Sequence, residues 1–75
     1  MIDYEIYKGN NNKTYLVTTT DNDPEELRKI AKARFKVASK KIFVCGAWIK
    51  DDELYLNYPY IKGMTRVWTA YKKEA

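Results

Sequence analysis

Residues 23–40 read DPEELRKIAKARFKVASK, and this stretch decides the fold. Asp23 has the short polar side chain of an N-cap, Pro24 suits the first helical position, and Glu26 stands where a capping-box acid belongs. Taken at about 100° per residue from Leu27, the side chains of Ala38, Ala31 and Ile30 fall within about 60° of one direction. Phe35 and Val37 flank them at about 80°. Lys29, Lys32, Lys36 and Lys40 fall on the opposite side. The spacing therefore predicts one helix over about 24–39, with an apolar face and a lysine stripe.

Moving outward, the pattern changes to strands. Before the helix, Ile2, Tyr4 and Ile6 alternate with polar neighbours, and Thr14 to Thr20 is β-branched and aromatic. The turn-forming run Gly9-Asn10-Asn11-Asn12 between them predicts a hairpin. After the helix, KKIFVCGAWIK (40–50) is apolar on both faces, as an internal strand is. Asp51-Asp52 reads as a tight turn, Glu53 to Tyr58 as a further strand, and Pro59 and Gly63 as brackets of a loop. Thr65 to Lys72 reads as the last strand, and the tail KKEA (72–75) is expected to fray. The predicted fold class is α+β: one domain over 1–75, in ββαβββ order, with a small, mainly antiparallel sheet of four to five strands and the helix packed on one face.

Register arguments refine this. A two-residue turn at 51–52 places Ile49 opposite Leu54, Ala47 opposite Leu56 and Cys45 opposite Tyr58. Together with Phe43, that is the more apolar face, and the helix is expected to cover it. The other face then carries Ile42, Val44, Gly46 and Trp48 beside Tyr55. Aligning the last strand adds Arg66, Trp68 and Lys72 to that open face.

Composition removes whole classes of function. The 75 residues are 45% hydrophobic and 15% aromatic, which argues against a disordered chain. No apolar run approaches the ~20 residues of a membrane span. The acidic, alternating start MIDYEIY has neither the form of a signal peptide nor that of a transit peptide, so a cytoplasmic location is expected. There is no histidine and one cysteine, Cys45. The commonest general base and metal ligand are therefore missing, and no intrachain disulfide can form. Ser39 is the only serine and lacks a nucleophile-elbow frame. The runs Asp51-Asp52-Glu53 and Asp21-Asn22-Asp23 lack the further ligands of a metal loop and read as a hairpin tip and a helix cap. Gly9, Gly46 and Gly63 form no phosphate loop. Neither an enzyme nor a cofactor is expected.

What remains is charge and aromatic character. The net charge of +4 is unevenly spread. Residues 1–27 carry six acids against Lys8 and Lys13, a net −4, whereas residues 28–50 carry eight basic residues and no acid. Two candidate binding surfaces follow. One is the stripe Lys29, Lys32, Lys36 and Lys40, which suits phosphates or an acidic protein surface, against the plain alternative of a solvated face. The other is the sheet face with Trp48, Tyr55, Trp68, Arg66 and Lys72. It suits stacked bases, against the alternative of a second apolar layer covered by the first hairpin or by a partner subunit. Arg34 falls near the centre of the helix's apolar face. It is expected to pair with Asp3 or Glu5 or to snorkel past the alanines, with an anchor into a partner as the functional alternative. The sequence thus points to a small non-enzymatic binding protein acting on an acidic protein surface, as an inhibitor or accessory factor of a mobile element does. A nucleic-acid-binding module using the basic helix or the aromatic face is the alternative, and a homo-oligomer is compatible with both.

Overall fold

The computed structural model describes residues 2–9 and 12–73. The centre of the expected 9–12 turn and the end of the 72–75 tail lie outside the described residues. The elements are β1 (Glu5–Lys8), β2 (Thr14–Thr19), α1 (Pro24–Phe35), a 3-10 turn (Ser39–Lys41), β3 (Ile42–Lys50), β4 (Glu53–Tyr55) and β5 (Thr65–Lys72). The α+β class and the ββαβββ order are as the sequence predicts. The five strands form one sheet in the order β1-β2-β5-β3-β4, and every neighbouring pair is antiparallel.

The helix begins as its residues dictate. Asp23 is extended and its carboxylate accepts the Glu25 N–H at 3.0 Å, with Pro24 opening the helix. It ends four residues before Ser39. Lys36 turns into the left-handed region (φ 57°), its N–H donates to the Lys32 carbonyl at 3.0 Å, and Ala38 is extended. Val37, released from the helix, packs against the core beneath it. Arg28 ties down the connection: its guanidinium donates to the Ile42 carbonyl at 2.8 Å and pairs with Glu25 at 3.0 Å. The tight turn is also as expected. Asp51 and Asp52 both have positive φ, as a two-residue hairpin turn of the right twist requires, and Ile49 faces Leu54. β4 stops at Tyr55, so the expected pairings of Ala47 with Leu56 and Cys45 with Tyr58 are not made.

The assignment of the sheet faces is reversed from the expectation. The helix covers the Ile42–Val44 face, where Leu16, Leu27, Ala31, Ile42 and Ala70 form one buried cluster with Val44 and Trp68 against it. A helix axis needs small residues beneath it to come close, and Ala70, with Ala31 on the helix, supplies them. The other face holds a second cluster, Tyr15, Val17, Ala47 and Val67, with Tyr7, Ile49, Leu54 and Leu56 packed against it. No helix covers that cluster. The sheet curls around it instead, so that Tyr7 of β1 comes within the field of Asp52 in the β3–β4 turn. A cleft lined by Tyr7, Lys8, Gly9, Asp52, Glu53, Leu54 and Tyr55 marks where the two edges approach. The more apolar strand face is therefore closed by the sheet itself.

Thr69 lies in the middle of β5 and is fully buried, and its hydroxyl finds no hydrogen-bond partner. Leaving such a group dry and unpaired costs about 1–3 kcal/mol. Thr69→Val, which keeps the shape and removes the hydroxyl, is expected to raise the unfolding free energy by about 1 kcal/mol in urea titration.

Candidate functional site

Tyr55, Trp48 and Arg66 stand side by side across β4, β3 and β5, because Trp48 pairs with Tyr55 on one side and with Arg66 on the other. All three therefore share a face. The Arg66 guanidinium lies over the Trp48 ring at 4.8 Å, a cation–π stack. The loop after β4 returns over this end of the sheet. It brings the Tyr60 ring to 5.2 Å from Trp48 and the Tyr58 ring to 5.1 Å from Tyr55. The Trp48 indole N–H donates to the Tyr58 carbonyl at 3.0 Å, which fixes both the ring and the loop. Tyr58 is 45% exposed, Tyr60 60% and Ile61 42%. The result is a patch of four aromatic rings and one arginine, anchored below and open above.

Gly46 is part of its construction. A methyl group built there would collide with the Arg66 guanidinium, so the arginine reaches Trp48 only because position 46 has no side chain. The colliding atoms are the free end of a flexible chain. Gly46→Ala is therefore expected to displace Arg66 and change stability by less than about 1 kcal/mol. The readout is the Arg66 side-chain proton resonances, which should lose the upfield shift that stacking on Trp48 imposes.

The other sequence candidates fall into different places. Trp68 pairs with Gly46 and Thr18 and packs half-buried against the helix-side core, so it supports the fold and does not belong to the patch. Lys72 pairs with Ile42 at the far end of the sheet from Arg66. Lys29, Lys32, Lys36 and Lys40 are all exposed. Only Lys29 and Lys32 lie on the helix, however, since Lys36 is its left-handed cap and Lys40 belongs to the 3-10 turn. The expected stripe is thus interrupted. Arg34 is exposed, and among the described residues it has neither the expected ion pair with Asp3 or Glu5 nor any other. It sits in the last helical turn, where a cation complements the helix dipole and a long side chain reaches water. The stripe and the platform were expected on opposite sides of the sheet. Because the helix covers the Trp48 face, they share a side.

Burial raises the Cys45 thiol above its ordinary value against a smaller opposing effect of Arg66, which leaves it protonated and weakly nucleophilic near neutral pH. The Tyr55 hydroxyl donates to the Glu53 carboxylate at 3.1 Å, and that bond raises the Tyr55 pKa. Among the described residues there is no group of three or more Cys, Asp or Glu placed to hold a metal ion. Among them, too, no helix is long and apolar enough to cross a membrane.

Sequence reasoning missed Tyr58, Tyr60 and Ile61. They lie in the loop between β4 and β5, Tyr58 just before Pro59 and Tyr60 and Ile61 just after it, and the signal for them was the density of tyrosines around that proline. No family model, curated protein or solved structure matches the chain.

Proposed function

We propose that this chain is a protein-binding module that grips its partner with the Trp48–Tyr58–Tyr60–Arg66 patch. The observation that carries this reading is the Arg66–Trp48–Tyr60 cluster, with Arg66 over the Trp48 ring and Tyr60 tilted against it, held in place from below and exposed above. Tryptophan, tyrosine and arginine are the residues in which binding energy concentrates at protein interfaces. An exposed aromatic cluster is costly for a small monomer unless something covers it. The hydrogen bond from Trp48 to the loop pre-organises the patch, which lowers the entropic cost of binding. Arg66 in the patch, Lys62 in the loop, and Lys29 and Lys32 on the same side of the sheet favour an acidic partner surface.

The action is occlusion by contact, without chemistry on the partner, as an inhibitor or accessory protein works. A cytoplasmic location fits this role. The test is affinity capture from the source cell with nuclease present throughout, using the wild type and Arg66→Glu as paired baits. A protein retained by the wild type and lost from the folded Arg66→Glu variant supports the proposal. Capture that disappears with nuclease, or that is indifferent to Arg66, refutes it.

A further inference from the structure

β1 is an edge of the sheet, so one side of its backbone has no neighbouring strand. Its two faces differ in kind. Glu5 is opposite Val17 and Tyr7 opposite Tyr15, on the face away from the helix. Ile6 is opposite Leu16, on the helix side, and is 46% exposed. Beside the Glu5 face lies a cleft of about 170 Å³. Val17, Ile49 and Val67 form its apolar floor, and Asp3, Glu5 and Tyr7 stand around it. Asp3 and Glu5 are exposed, and among the described residues no lysine or arginine lines the cleft. Burial, and after it the Glu5 and Asp52 carboxylates, hold the Tyr7 hydroxyl above its ordinary value, so the potential at this rim is negative.

Stability does not explain this strand. Two acids beside an apolar floor, with no cation in the cleft, gain nothing from one another. Charges on an edge strand commonly keep other strands away, but an edge protected in that manner has no use for a half-exposed isoleucine on its other face. The same features complement one kind of chain. An extended segment laid along β1 pairs with its free backbone edge and turns alternate side chains to the two faces. On the cleft side, a lysine or arginine can lay its stem over Val17, Ile49 and Val67 and bring its charged head to Asp3 and Glu5. On the other side, an aliphatic neighbour covers Ile6. A second copy of this chain does not fit through its own β1, because the acids of the two strands would meet.

We infer that β1 takes up an extended segment of a partner protein in which basic and aliphatic residues alternate, and adds it to the sheet as a further strand. Asp3, Glu5 and Ile6 select the alternation. This site shares no residue with the Trp48–Arg66 patch and takes a segment of opposite charge to the surface that patch favours, so either site can fail without the other.

The experiment is fluorescence anisotropy of a labelled peptide of about eight residues, alternating arginine and valine, titrated with the full chain. Two further peptides serve as comparisons. One has the same composition with its arginines in a single block, and the other has glutamate in place of arginine. The alternating basic peptide is expected to bind at least about tenfold more tightly than either, and more weakly as salt rises from about 50 to 200 mM. Glu5→Lys is expected to weaken it about tenfold or more, and Ile6→Ser about fivefold. Glu26→Lys, an equal change of charge on the helix, is expected to leave it unchanged. In nuclear magnetic resonance spectra, the amide signals of residues 5–8 are expected to shift on binding, because main-chain pairing forms there.

No binding of the alternating peptide would overturn the inference. Equal binding of the block peptide would overturn it too, since charge alone would then suffice. So would a folded Glu5→Lys variant of unchanged affinity, a loss in Glu26→Lys as large as that in Glu5→Lys, or amide shifts that leave β1 untouched. Should circular dichroism show Glu5→Lys unfolded, Glu5→Gln replaces it, with an expected loss of about fivefold, and unchanged affinity there refutes the inference.

Discussion

Ile42→Ala is expected to cost about 3 kcal/mol of unfolding free energy, and Phe43→Ala, its neighbour in the chain, about 1 kcal/mol. Ile42 is 1% exposed and belongs to the cluster under the helix. Removing three of its carbons opens a cavity that the rigid sheet and helix cannot close, and such truncations cost about 2–5 kcal/mol. Phe43 points the other way, is nearly half in water, and loses mainly its edge contact with Tyr71. A chain of this length has a total stability of about 4–11 kcal/mol, so the first substitution removes a large part of it. The difference between the two midpoints in urea reports directly which face of β3 the helix covers. Had the helix covered the Phe43–Ala47 face, the order of the two losses would be inverted.

The second large effect concerns binding. Tyr60→Ala is expected to weaken the complex with the captured protein about thirtyfold or more, equivalent to about 2 kcal/mol. Its effect on folding stability is expected to be within about 0.5 kcal/mol, because Tyr60 is 60% exposed. Trp48→Ala is expected to do more harm on both counts. It removes the ring that Arg66 covers and Tyr60 packs against, and leaves the Tyr58 carbonyl without its donor. Arg66→Lys separates charge from shape. Lysine keeps the charge but lacks the planar guanidinium that covers an indole, so it is expected to bind closer to the alanine variant than to the wild type. Isothermal titration with the purified partner, alongside urea unfolding of each variant, separates lost contacts from lost folding.

Most of the secondary structure was legible because each element carries its own local signal. The helix start follows from Asp23 and Pro24, and the β3–β4 turn from Asp51-Asp52. β5 runs over the expected Thr65–Lys72, where β-branched and aromatic residues are dense. The helix end was not legible. Residues 36–39 contain no glycine or proline, and what stops the helix is tertiary: Val37 turns into the core and Arg28 holds the Ile42 carbonyl.

The choice of sheet face failed for a related reason. β3 is apolar on both sides, so hydrophobicity alone could not select one. The decision rests on fit: Ala70 admits a helix, whereas Tyr15, Phe43 and Tyr71 are too bulky and the sheet curls over their neighbours instead. The grouping of Trp48, Tyr55 and Arg66 on one face was legible, since strand alternation and the turn at 51–52 fix it. The contribution of Tyr58 and Tyr60 was not, because a loop's path over a sheet end leaves no periodicity to read.

The central claim is that a partner protein sits on the Trp48–Arg66 patch, and protection by that partner tests it most directly. Hydroxyl-radical footprinting of the purified complex, read by mass spectrometry, scores each aromatic side chain with and without the bound protein. The account predicts strong protection of Trp48, Tyr55, Tyr58 and Tyr60, with Phe43 and Tyr71 on the opposite face unchanged. Unaltered oxidation of Tyr58 and Tyr60 in a saturated complex, with protection confined to the helix or to Phe43, would contradict it.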